Sequence, residues 1–196
     1  MRSFLFFVAF ACATTAHAQY AYVDGTTVTA DGITFYVHRP VSACISLSNV
    51  RNTLSRQQQQ TLQGEPVLPW DIEMGELDFD AFKRAFTETF TEEEAVDMRD
   101  RKARIRLFLT KDGNGALLEV AFTFYALPGM PIYPPSKYAS YEKNLKKYVR
   151  WKTITDDERK LKFTHESMLL DLRSLVPYKV REPNPWDRVD SLVELE

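Results

Sequence analysis

Arg104, Arg106, Lys143, Lys147, Tyr138, Tyr141 and Trp151 are the residues of this sequence whose types and spacing best suit binding chemistry. Arg104 and Arg106 continue a basic cluster begun by Arg99, Arg101 and Lys102, and Lys143 and Lys147 share a stretch with Lys146 and Arg150. Cations at that density suit a phosphorylated or uronic-acid component of a cell envelope. The same residues would also serve as a solvated helix face with cations favourable at a helix C-terminus. Tyr138, Tyr141 and Trp151, with Tyr133 and Tyr148, could stack on sugar rings, although rings at helical spacing can equally fill a core.

Nucleophilic and metal chemistry find less support. Cys44 stands in the apolar stretch from Val41 to Leu47 and reads as a buried thiol. His38 and His165 have no Cys, His or carboxylate at metal-ligand spacing, which assigns them surface roles. Asp71, Glu73, Glu76, Asp78 and Asp80 are dense enough to interest a hard cation, but their spacing is not that of an EF-hand loop. Asp112-Gly113-Asn114-Gly115 also departs from that pattern, because Thr123 stands where the bidentate glutamate belongs. There is no Gly-rich phosphate loop and no G-x-S-x-G elbow. The sequence therefore marks no catalytic residue, no metal site and no cofactor.

The 196 residues allow one domain of ordinary size, and apolar and charged fractions of 44% and 27% are those of a soluble globular protein. A formal net charge of −2 argues against a general nucleic-acid binder. Residues 1–18 read as a signal peptide: Arg2 is a short positive region, Phe4 to Ala11 an apolar run, and Ala16-His17-Ala18 a small-x-small cleavage site. The expected mature chain starts at Gln19, has no transmembrane segment and retains Cys44 as its sole cysteine. Lipidation at Cys12 is the competing reading of the same segment.

The elements that must position these side chains centre on Ala103 to Tyr125, where two alternating apolar runs flank the Asp112-Gly113-Asn114-Gly115 turn and predict a β-hairpin. Ile105, Leu107 and Leu109 share one face with Leu118, Val120, Phe122 and Phe124, leaving Arg104, Arg106, Thr110, Glu119 and Thr123 opposite. Thr26 to Val37 predicts a smaller hairpin about Asp31-Gly32, and Val41 to Leu47 a further strand. Ser48 to Gly64 is polar and without period, a surface loop or fraying helix. Phe79, Phe82, Phe86 and Phe90 form one helical stripe, and Thr91 with Glu94 forms a capping box opening the next helix. Ser136 is expected to cap a helix from Lys137 to about Trp151, with Tyr138, Tyr141, Leu145 and Tyr148 on one stripe. Met168, Leu170 and Leu172 alternate as a final strand. The divisions are 1–18 signal peptide, 19–75 β-rich extension, 76–176 core domain and 177–196 tail.

The order helix, strand, turn, strand, helix, strand from Thr91 to Arg173 resembles the C-terminal domain of TonB-type energy transducers, through the Asp112 turn, the helix before Tyr148 and the step Val149-Arg150-Trp151-Lys152. The whole mature chain is similar to small exported families of unknown function in Gram-negative bacteria, in which a Tyr-Glu-Lys-x-Leu-Lys helix follows a hairpin, here Tyr141 to Lys146. That resemblance implies a fold and a location, periplasm or cell surface, and supplies no activity. The expectation is an α+β fold, a small antiparallel sheet on the central hairpin covered by helices in αββαβ order, extended or accompanied by the N-terminal hairpin. The expected function is non-enzymatic binding of a protein or envelope component, against the alternatives of a glycan-binding module and a secreted hydrolase.

Overall fold

The structure, a computed structural model, describes residues 22–175. The signal-peptide reading, the Cys12 alternative and the 177–196 tail lie outside the described residues. Alternation and turn chemistry build six strands: β1 (Thr27–Ala30), β2 (Ile33–Val41), β3 (Cys44–Asn49), β4 (Ile105–Lys111), β5 (Leu117–Tyr125) and β6 (Thr164–Leu169). They form one antiparallel sheet in the order β1-β2-β3-β5-β4-β6. Since β3 pairs with β5, the N-terminal hairpin extends the central sheet. Asp31 and Gly32 both take positive φ between the paired residues Ala30 and Ile33, the backbone that a two-residue hairpin turn requires.

Helices cover one face: α1 (Phe79–Thr87), α2 (Glu92–Asp100), α3 (Pro135–Tyr148) and the single turns α4 (Asp156–Arg159) and α5 (Leu172–Leu175). Asp78 caps α1 by accepting from the Asp80 and Ala81 amides, and Thr91 and Glu94 form the expected capping box on α2. The start of α3 differs from expectation. Pro135 occupies its first turn and Pro134 precedes it without a side-chain cap, so Ser136 lies inside the helix. Proline needs no amide partner there, and its fixed φ suits the first helical position.

α3 lies against β1 and β5 and beside α1. The core is aromatic: Tyr138 stacks on Phe124 with ring centroids 4.9 Å apart, Tyr141 stacks on Phe122 at 5.8 Å, and Phe86 and Phe90 meet Tyr141 edge-on. On the far sheet face Arg106, Phe108, Tyr36 and Leu169 are exposed. The last strand begins earlier than its apolar residues suggest, at Thr164, and ends at Leu169; Leu170 and Leu172 are buried beyond it.

The phase of β5 breaks at Leu118. Thr110 pairs with Glu119 but Lys111 pairs with Leu117, a bulge that leaves Leu118 37% exposed and buries Leu117 in its place. Glu119, expected at the solvent face, is buried beneath the 3-10 turn Leu54–Arg56. Its carboxylate accepts from the Thr53, Leu54 and Ser55 amides at 2.6–2.8 Å. Three amide donors supply the stabilisation that an ionised carboxylate loses on leaving water.

Candidate functional site

Where β3 ends, the chain turns at Asn49 and crosses the end of the sheet, opening a cleft of about 500 Å³ against α3. Ile33, Leu54 and Leu118 supply apolar wall, Asn49, Asn52, Glu119 and Glu142 polar wall, and Arg51, Lys143 and Lys146 cations. Each polar group has a local reason for its position. Asn49 accepts from the Arg51 amide through its side-chain oxygen, which fixes the turn, and donates through Nδ2 to Glu142 Oε1 at 3.0 Å. Asn52 Nδ2 donates to the Val120 carbonyl at 2.8 Å, tying the crossing segment to β5. Lys146, one turn beyond Glu142 on α3, donates to the same Oε1 at 2.7 Å. Glu142 Oε2 has no hydrogen-bond partner, although its side chain is only 1% exposed. A buried carboxylate oxygen without a donor costs about 1–3 kcal/mol or more, so the position is primed to accept a hydrogen bond.

Of the seven binding candidates, the cleft contains Lys143 alone, joined by Lys146 from the same basic stretch. Arg106 leaves the far face of the sheet, opposite Thr123 on β5 and Leu169 on β6, and Arg104 is exposed just before β4. Lys147 is exposed on α3, its Nζ 4.6 Å from the Tyr148 ring centroid. The sheet thus separates the Arg104–Arg106 pair from the lysines of α3.

A stacking platform of Tyr138, Tyr141 and Trp151 is ruled out: they are 1%, 0% and 8% exposed. The α3 stripe packs onto the sheet, as large amphipathic rings do when an apolar face is available to them. Burial pushes the phenols of Tyr138 and Tyr141 far above their ordinary range, so they stay neutral.

The remaining candidates have structural partners. His165 engages Thr110 Oγ1 through Nδ1 at 3.0 Å and the Gln57 carbonyl through Nε2 at 3.1 Å. His38 lies 3.3 Å from Asp24, and Cys44 is buried. Glu76 pairs with Lys152, and among the described residues no three His, Cys, Asp or Glu side chains converge as a metal would need. Lys143 Nζ donates to the Asp31 carbonyl at 2.7 Å.

A second charged group is sealed inside the molecule. Lys111 Nζ lies 2.7 Å from both Glu158 Oε1 and Glu166 Oε1 and 4.1 Å from the Trp151 ring centroid. Trp151 Nε1 donates to Glu166 at 2.9 Å. Burial by itself would raise the Glu158 pKa, but Lys111 and the Thr155 and Gly75 amides outweigh it and hold the group below the ordinary carboxylate value. A lysine between two carboxylates has the parts of an acid–base pair, yet Lys111 and Glu158 are 1% and 0% exposed and, unlike Glu142, line no part of the cleft. The cluster instead clamps the 151–161 segment over the hairpin turn. There Gly113 passes so close that a Cβ would lie 2.9 Å from the Glu158 and Leu161 carbonyls.

Sequence reading missed Asn49, Arg51, Asn52, Glu119 and Glu142. Glu142 did carry a signal: it lies four residues after Tyr138 and three before Leu145, a charge on an otherwise apolar stripe.

No protein-family model matches this sequence, and no curated protein matches it. Among solved structures, a DUF5043 family protein from Bacteroides uniformis matches with a TM-score of 0.61 and 20% sequence identity, over 76% of this chain and 86% of that one. At that identity the likeness is one of fold: this chain shares its α+β architecture with a protein of a domain-of-unknown-function family.

Proposed function

We propose that this protein is exported and acts by binding, without catalysis, holding a protein or envelope component through the cleft at Glu142. The observation that carries this reading is the buried, unpartnered Glu142 Oε2 in the wall of a cleft where Asn49, Asn52 and Glu119 are hydrogen-bonded and which Arg51, Lys143 and Lys146 also line. A preformed concavity with an apolar wall and a few fixed polar groups is the usual form of a small-ligand site. Export is supported by the signal pattern in residues 1–18. Among the described residues no helix is long and apolar enough to cross a membrane.

Retention of the purified protein on an envelope polysaccharide preparation tests the site. Arg51→Glu with Lys143→Glu should abolish retention, and Arg104→Glu, Arg106→Glu and Lys147→Glu together should weaken it only in proportion to long-range charge. Added salt should weaken the wild type by screening. The reverse ranking would move the site to the exposed sheet face or the outer side of α3, and turnover of a polysaccharide or peptide by the pure protein would end the non-catalytic reading. Processing is checked separately by the mass of the protein recovered from cells, expected to begin at Gln19 without an acyl chain.

A further inference from the structure

The ligand class follows from the charges around the empty valence of Glu142, given that the cleft is the binding site as proposed above. Glu142 Oε1 is already shared by Lys146 Nζ and Asn49 Nδ2, and Oε2 needs a donor. A second ammonium there would stand beside Lys146 Nζ and be repelled; a hydroxyl would donate without adding charge. The rest of the lining is net cationic, with Arg51, Lys143 and Lys146 against Glu119 and Glu142, and Glu119 is consumed by three backbone amides. Lys143 spends one donor on the Asp31 carbonyl and keeps two. The Arg51 side chain is exposed at the mouth of the cleft, and its planar fork suits a carboxylate or phosphate. Leu118 and Leu54, beside these groups, offer apolar surface to the C–H face of a ring.

We infer that the cleft binds a hydroxylated anion, a sugar or similar polyol bearing one carboxylate or phosphate, with a hydroxyl donating to Glu142 Oε2 and the anionic group on Arg51 and Lys143. The bulge of β5 is part of this arrangement. Without it Leu118 would face the core and the apolar wall would be missing.

Calorimetric or NMR titration of the full chain with glucuronate, glucose 6-phosphate, glucose, acetate and β-alanine tests the assignment. Glucuronate or glucose 6-phosphate should bind at least about tenfold more tightly than glucose or acetate, each of which offers only half of the recognition. Whichever anion leads identifies the acidic group. Arg51→Ala, at an exposed position, and Glu142→Gln, with the fold checked by circular dichroism, should each weaken that binding about tenfold. If Glu142→Gln does not fold, Leu118→Glu takes its place and should weaken binding likewise.

Equal affinity for glucose and glucuronate overturns the anionic half, and preference for β-alanine overturns the hydroxyl half. Affinity unchanged in Arg51→Ala and Glu142→Gln overturns the placement and leaves Oε2 to an ordered water. If no probe binds but envelope retention still depends on Arg51 and Lys143, the ligand class fails while the cleft stands. If that retention is also indifferent to them, both readings fall.

Discussion

Lys111→Met will cost the fold about 3–5 kcal/mol at neutral pH, because it leaves the carboxylates of Glu158 and Glu166 facing each other without their shared cation. The loss should also shrink as pH falls. In the wild type the Glu158 pKa is lowered from an ordinary 4.5, so the stability it contributes is present above that value and is lost as pH falls through the lower folded value. In Lys111→Met the burial that raises the pKa remains and the main opposing charge is gone. Glu158 should then favour its proton, and acidification should return part of the lost stability. Urea denaturation at several pH values between neutrality and the acid limb measures both curves; parallel curves would show that Lys111 is not the counter-charge. Replacing all three charged residues together, Lys111→Met with Glu158→Leu and Glu166→Leu, should recover much of the loss, since a well-packed apolar group avoids the desolvation that the ions suffer.

Alanine substitutions along β5 will report the bulge directly. Phe122→Ala should cost about 3–5 kcal/mol, since its ring is buried against Tyr138, Tyr141 and Phe35. Leu118→Ala should cost under about 1 kcal/mol, as the side chain is half-exposed and lines the cleft. Glu119→Ala should cost about 1–3 kcal/mol by stripping the Thr53, Leu54 and Ser55 amides of their acceptor. Faster hydrogen exchange at those three amides would accompany it, and Thr123→Ala, whose hydroxyl meets Ser46 at the exposed face, should do little. Denaturant midpoints for the four variants decide the matter. A Leu118→Ala loss as large as that of Phe122→Ala would mean an unbroken register in which Leu118, not Leu117, enters the core.

Local chemistry sufficed for several of the elements but not for the start of α3, the phase of β5 or the span of β6. The alternation of Ile105, Leu107 and Leu109 marks β4, Asp31-Gly32 marks the first hairpin, and Thr91 with Glu94 marks the start of α2, because each depends on groups within a few residues of one another. The α3 stripe is visible for the same reason. Its destination is not: Tyr138 and Tyr141 become core only because Phe122 and Phe124 on a distant strand present a face to stack upon. Their spacing alone suits a stacking surface equally well.

The bulge at Leu118 is likewise a tertiary decision. Period-two patterning assigns Leu118 to the core, but Lys111 across the ladder is held among Glu158, Glu166 and Trp151, and the register shifts where it does so. The cleft lies furthest from sequence reading. Asn49 and Glu142 are 93 positions apart, and Glu142 looks like one half of a routine helical pair with Lys146 until a strand end buries it and leaves one oxygen without a donor. Periodicity records which face a residue takes on its own element; what that face meets, and which polar atoms go unmatched there, is fixed only when the elements pack.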